Sequence, residues 1–223
     1  MAEQLNFDWP TRVALGPDDY FVSEANVQAY AMLKAPESWP EGKLALIGPK
    51  SSGKSHLARV FRHFFNASII SAANLEVTEA LRSAPALVIE DMETLGSDKE
   101  EELFHLHNHL RQRRVPLLMT SVKAPSAWTI TLPDLASRMQ ATSVVSIDDP
   151  DDRLLSAILM KLFQDRQIAP KPQLIEYLST RIERSFAAAA EIVDLLDREA
   201  LAQGKPLNIM LARTLLDKDV ALG

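Results

Sequence analysis

The sequence contains no cysteine, which excludes a disulfide framework, a thiolate nucleophile and a zinc–thiolate site, and suits a reducing compartment. It also lacks any apolar stretch approaching the roughly 20 residues that span a bilayer. Met1-Ala2-Glu3-Gln4 has no basic n-region followed by an apolar h-region. A cytoplasmic protein without membrane association is therefore expected. An excess of positive charge is missing too: the formal net charge is −6, whereas a dedicated duplex binder carries a basic face. This disfavours DNA as the main ligand and favours a protein partner. No internal repeat or low-complexity tract is present. What remains, 223 residues of which 47% are hydrophobic and 24% charged, fits one α/β domain with an appendage, or two small domains.

The chain is organised around Gly48-Pro49-Lys50-Ser51-Ser52-Gly53-Lys54-Ser55, which satisfies the phosphate-binding pattern G-x-x-x-x-G-K-[ST] at every required position. The apolar run Leu44-Ala45-Leu46-Ile47 precedes it, and Leu57, Val60, Phe61, Phe64 and Phe65 follow at i, i+3, i+4, i+7 and i+8, so the loop joins a buried strand to an amphipathic helix. Gly48 and Gly53 let the backbone turn back on itself with its N–H groups inward, and the helix adds its positive dipole end to the same anion site. Lys54 would reach the β- and γ-phosphates of ATP or the diphosphate of ADP. Ser55 would offer its hydroxyl to a bridging Mg2+. Pro49, Lys50, Ser51, Ser52 and the next residue, His56, complete the expected nucleotide-binding segment.

Around this loop the chain reads in order. Residues 1–16 form an extended tail in which Gln4-Leu5-Asn6-Phe7-Asp8-Trp9-Pro10 alternates apolar side chains, either as a linear docking peptide or as an arm packed on its own domain. An alanine-rich helix runs to about Leu33, and Phe21 and Val22 ahead of it are placed for apolar contact with a nucleotide base. Ala67 to Ser71 predicts a second strand and Leu75 to Arg82 a short helix. Ala86-Leu87-Val88-Ile89 then delivers Glu90-Asp91 at a strand's C-terminal end, where open α/β sheets bind ligands. One carboxylate would hold Mg2+ and the other orient an attacking water.

Residues 98–114 predict a charged helix. Within it His105 and His109 are spaced for a metal, but His107 projects elsewhere and no third ligand is near, so these histidines serve surface or packing. Arg111, Arg113 and Arg114 suit a solvated helix C-terminus. Val115 to Ser121 predicts a strand ending in two hydroxyls, Thr120 and Ser121, able to sense a γ-phosphate; a strand added after the acidic one is the order of additional-strand P-loop ATPases. A fifth strand covers Thr142 to Ile147. Asp149-Pro150 is expected to cap a new helix whose stripe is Leu154, Leu155, Ile158, Leu159, Leu162 and Phe163. Helices at about 171–182, from Ser185 to Ala202 before Gly204, and 207–217 complete the chain. The shift near Asp149 divides an α/β domain, 17–148, from a helical domain, 149–223.

The ordered set GPKSSGKSHL, LVIED, LLMTS, LPDLASR and RIERSF, with FVSEANVQAYAML ahead of it, resembles the DnaA/Hda family of AAA+ ATPases, and more closely its Hda-type regulators, over almost the whole chain. The resemblance implies a three-layer AAA+ P-loop domain with a five-stranded parallel sheet and a small C-terminal all-α lid. It makes 48–55 the Walker A loop, Glu90 and Asp91 the Walker B acids, Thr120 or Ser121 sensor I, Arg138 an arginine finger and Arg184 the sensor II arginine. Gln4-Leu5-Asn6-Phe7 is similar to the family's peptide for the DNA polymerase III β sliding clamp, with Gln4, Leu5 and Phe7 as its anchors. DnaA itself becomes the expected partner, with self-association. Because the chain ends with the lid, no origin-reading helix-turn-helix and no direct sequence-specific DNA binding are expected. The family's acid order is reversed here, Glu90 before Asp91, which implies weak intrinsic hydrolysis while leaving nucleotide binding intact. The alternative is a DNA-handling AAA+ ATPase of helicase-loader or transposition-helper type, touching single strands through Arg111 to Arg114.

Overall fold

The computed structural model describes residues 21–204 and 206–220; Gln4, Leu5 and Phe7 lie outside the described residues. Five strands, β1 (Lys43–Ile47), β2 (Ser68–Ser71), β3 (Leu87–Glu90), β4 (Leu117–Ser121) and β5 (Ser143–Ser146), form one parallel sheet in the order β2-β3-β4-β1-β5. The central strands β1, β3 and β4 are the continuous apolar runs, buried on both faces as parallel strands require. The edge strand β5 is buried only at Val145.

Side chains alternate between two helical layers. On one face Leu44, Leu46, Val88 and Leu118 pack with Leu57, Ala58 and Phe61 of α2 (Lys54–Phe65) and Ala29 and Leu33 of α1 (Val27–Leu33). On the other, Ala45, Leu87, Ile89, Leu117 and Met119 meet Leu103, Leu106 and Leu110 of α4 (Glu100–Arg113) and Leu135 and Met139 of α5 (Pro133–Gln140). The expected α2 stripe holds except at Phe64, which lies at the stripe's edge, 39% exposed, under the Lys34 ammonium at 4.4 Å. The helix expected from Leu75 is only α3, Glu79–Ser83, because the Thr78 side chain caps it by accepting Leu81 N–H.

Four further helices, α6 (Asp152–Asp165), α7 (Pro172–Ser179), α8 (Phe186–Gln203) and α9 (Ile209–Val220), enclose a third core of Leu155, Leu159, Phe163, Leu174, Ile175, Leu178 and Val193. Ser185 caps α8 through Ala188 N–H, and Gly204 ends it with φ 58°. The start of α6 differs from expectation. Asp151 is the cap, accepting Leu154 N–H at 2.7 Å, and Asp149-Pro150 stands outside the helix. Asp151→Ala should cost about 1 kcal/mol of stability in urea unfolding, and Asp149→Ala under about 0.5 kcal/mol. Among the described residues no helix is long and apolar enough to cross a membrane.

Candidate functional site

Residues 48–53 emerge from the C-terminal end of β1 and feed α2. A Cβ on Gly48 would stand 2.8 Å from Ser52 Oγ and 3.2 Å from the Ile147 carbonyl oxygen, so any larger residue would force the Ser52 hydroxyl and the Ile147 backbone to shift. Ser51 and Gly53 take left-handed φ of 64° and 91°, which turns the loop into the helix. The Gly48 N–H is anchored on the Ser121 carbonyl at 3.2 Å. Lys54 is 7% exposed and curls back, its ammonium donating to the carbonyls of Gly48 at 2.9 Å and Pro49 at 2.6 Å. Burial pulls its pKa below the usual lysine value, while the carboxylates of Glu93, Asp91 and Glu90 oppose that shift. Ser55 is exposed on the first turn of α2.

The acids come from the end of β3. Glu90 shares the α2 face with Val88, two residues before it, and its Oε1 is buried without a hydrogen-bond partner. Ser52 Oγ is orphaned in the same way. Buried oxygens without partners are costly, and oxygen is what Mg2+ selects. The donor set therefore fits a magnesium-bound phosphate: Glu90 and Ser55 could hold the cation, and Ser52 could meet a phosphate or its water. Asp91 is exposed, has φ 59°, and donates its N–H to Thr120 Oγ1 at 3.2 Å.

The two hydroxyls of β4 separate. Thr120 follows Leu118 on the α2 face. Ser121 follows Met119 on the opposite face, and its one proton goes to Glu93 Oε2 at 2.7 Å while it accepts from Trp128 Nε1 at 3.0 Å. Glu93 also takes the Val122 N–H at 3.3 Å. Sequence reading passed over Glu93, which belongs to no motif; its one visible signal is being a third carboxylate within three residues of Glu90.

Phe21 is half-buried against the α2-face core, and Val22 is 40% exposed. Asn26 fixes this segment, its Nδ2 donating to the Phe21 carbonyl at 3.0 Å and its Oδ1 accepting Ser23 N–H at 2.9 Å. Asp148 N–H, just past β5, bonds the Ala25 carbonyl at 3.0 Å, which sets the segment beside the loop end of the sheet. His56 is half-buried, its pKa lowered by burial and by Arg59 and Lys161. Pro49 and Lys50 form the loop's outer turn with Ser51.

The two arginines stand apart from this cluster. Arg184 pairs with Asp152 of α6 at 2.9 and 3.0 Å, with both side chains about two-thirds exposed at 66% and 65%; such a pair contributes little stability and can open. Arg138 on α5 lies by the start of β1, away from the strand end that bears the loop. Its carbonyl accepts from Lys43 Nζ at 2.6 Å, at the start of β1, and four residues at about 3.3 Å each put roughly 13 Å of strand between that point and Ile47. The histidines divide as well: His107 is 2% exposed with both ring nitrogens unpartnered, whereas His109 contacts the Arg82 carbonyl at 3.2 Å. Among the described residues no group of three or more potential ligands could hold a metal ion through protein side chains alone. Arg111 pairs with Glu41 at 3.1 Å, Arg113 bonds the Arg82 carbonyl, and Arg114 is the left-handed cap of α4.

No family model matches the chain. It is 27% identical over 183 residues to an uncharacterized protein of Haemophilus influenzae, covering 76% of this chain and 79% of that one. It is 24% identical over 226 residues to the chromosomal replication initiator protein DnaA of Cutibacterium acnes, covering 89% of this chain and 45% of DnaA. The chain thus spans about half the length of the DnaA proteins it matches. Among solved structures, domain III of Thermotoga maritima DnaA superposes with TM-score 0.71 at 19% identity, over 92% of this chain and 96% of that one. AMPPCP-bound DnaA of Aquifex aeolicus superposes with TM-score 0.63 at 20% identity, over 82% and 65%. The chain therefore has the AAA+ P-loop α/β fold with five parallel strands, and it is similar in sequence and structure to domain III of DnaA.

Proposed function

We propose that this protein is a nucleotide-bound AAA+ regulator which, docked on the DNA-loaded sliding clamp, promotes hydrolysis of DnaA-bound ATP and so represses re-initiation of replication. The observation that carries this reading is the separation of its two halves: a complete phosphate loop at the C-terminal end of β1, and an arginine held by Lys43 at the start of that strand, with about 13 Å of strand between the two ends. Such an arginine serves a neighbouring molecule's nucleotide. DnaA structures similar to this chain bind AMPPCP, so the ligand in loop 48–55 is an adenine nucleotide, ADP or ATP.

In this reading the amides of 48–55 and Lys54 hold the phosphates, Glu90 and Ser55 hold Mg2+, and Phe21 and Val22 cover the base. Mg2+, when bound, neutralises phosphate charge. Thr120 is favoured over Ser121 as the γ-phosphate sensor, since Ser121 has its proton committed to Glu93. Asp91, short and exposed, is a poor base, so the nucleotide is held more than turned over. Arg184 exchanges Asp152 for phosphate. Arg138 places positive charge on the γ-phosphate of DnaA's ATP. Gln4, Leu5 and Phe7 tether the protein to the clamp. Residues 17–148 bind nucleotide and 149–223 act as the lid.

The test is hydrolysis of DnaA-bound ATP in the presence of this protein, ADP and clamp loaded on DNA. Stimulation of at least ~10-fold is expected, conservatively for an arginine finger, with a return to the unstimulated rate for Arg138→Ala and for Gln4→Ala/Leu5→Ala. No stimulation by a wild-type protein that binds nucleotide and clamp would refute the regulator. Salt-sensitive single-strand binding without clamp, lost on charge reversal of Arg111, Arg113 and Arg114, would install the DNA-handling ATPase instead.

A further inference from the structure

We infer that Phe104, Asn108 and Lys43 form a cradle that positions Arg138, so that its guanidinium is aimed before a partner arrives; the inference rests on the reading of Arg138 as a group acting in trans. Phe104 and Asn108 stand four residues apart on α4 and so present one stripe to α5. The Arg138 guanidinium lies over the Phe104 ring, 4.7 Å from its centroid, and donates to Asn108 Oδ1. One face of the planar group is covered by an aromatic ring and one edge is fixed by a side-chain carbonyl. Arg138 as a whole remains half-buried.

The backbone of the same residue is held independently. Lys43 is 1% exposed, yet it carries an ammonium, which it spends on the Arg138 carbonyl at 2.6 Å and on Glu41 at 3.2 Å. Thr142 Oγ1 approaches the same carbonyl at 3.4 Å. A buried lysine is costly unless its charge is paired and hydrogen-bonded, and this one ties the first residue of β1 to the last turn of α5. His107 is buried, and that burial with the charges of Lys43 and Arg138 lowers its pKa to about 4, so at neutral pH it adds no repulsion. Arg138 is thus fixed at both its carbonyl and its guanidinium, whereas the Arg184 guanidinium sits in an exposed ion pair with Asp152. Fixing a charge in advance removes reorganisation from the step in which it acts.

Two measurements on the full chain test the cradle. The first is the rate at which phenylglyoxal modifies Arg138 in the free protein, read by peptide mass spectrometry. Asn108→Leu and Phe104→Leu should raise that rate severalfold, and Asn108→Asp, which keeps the acceptor, should not. The second is hydrolysis of partner-bound ATP at saturating protein. Asn108→Leu should lower the maximal stimulation about tenfold, the scale of one hydrogen bond to a charged group, with the half-saturating concentration unchanged and Asn108→Asp rescuing. Equal labelling in wild type and both leucine variants overturns the cradle, whatever the protein does to a partner. Faster labelling with unchanged stimulation overturns the aiming role, and a rise in stimulation shows a brake instead. If Arg138→Ala stimulates like wild type, the trans-acting reading fails, and the labelling alone decides whether the cradle exists. Unchanged melting temperature and nucleotide affinity in the leucine variants separate positioning from a folding defect.

Discussion

Lys54→Ala is expected to weaken adenine-nucleotide binding about 100-fold, the scale of losing charge-assisted hydrogen bonds to phosphate. Lys54 donates to the carbonyls of Gly48 and Pro49, so its ammonium is already aimed into the loop that would receive the phosphates. The burial that lowers its pKa also strengthens what it makes with a phosphate. Lys54→Arg should fail as well, because a planar fork replaces a compact charge in a buried position whose ammonium reaches two loop carbonyls. The check is calorimetric titration with ADP and ATP beside thermal melts. Wild type should gain about 2.7 kcal/mol at a ligand concentration 100 times Kd, and Lys54→Ala almost none. Binding within about threefold of wild type would move the phosphate out of this loop.

His107→Leu is expected to stabilise the protein, and most at low pH. Burial, with Lys43, Arg138 and Arg111 nearby and only Glu41 opposing, depresses the His107 pKa from 6.5 to about 4. The unfolded chain takes up its proton near pH 6.5, and the folded protein does not until about pH 4. Stability from this residue is therefore complete above pH 6.5 and declines as pH falls to 4, by about 3 kcal/mol in all. Leucine removes that slope, and it also removes two buried nitrogens that find no partner. Urea unfolding of both proteins at pH 8, 6.5 and 5 measures it. A gap between them that stays constant across the three pH values would show that the proton on His107 is not responsible.

Much of the scaffold was readable because each element carried its own local signal. Leu44–Ile47 of β1, Leu87–Ile89 of β3 and Leu117–Met119 of β4 are unbroken apolar runs, as strands buried on both faces must be, and the loop motif sits between a strand and a helix. Local signals failed where several residues offered the same chemistry. Asp149, Asp151 and Asp152 can each accept a helix N–H, and only the path of the chain out of β5 selects Asp151. His107 was within reach: it follows Leu103 by four residues and precedes Leu110 by three, on the stripe that packs, so its burial follows from spacing that sets it apart from His105 and His109. The partners of the key arginines were not legible, since Asn108 and Asp152 lie 30 and 32 residues away from Arg138 and Arg184. Glu93 escaped for the same reason; its importance comes from Ser121, 28 residues on.

Leu154 of α6 and Phe186 of α8 lie in the same packed cluster as Leu57 and Phe61, and Ile158 touches both that cluster and the helical one. α6 and α8 are therefore joined to the phosphate-loop helix through an apolar seam, which salt does not screen. Swinging them away as a free flap would wet this seam, at a cost proportional to the apolar area laid open. The cheap motion is a slide of α6 along α2, greasy face against greasy face, which shifts Arg184 by small steps while the cluster stays dry. Heating has no such gentle route: melting either part strips the other of its cover, so both should come apart in one cooperative event.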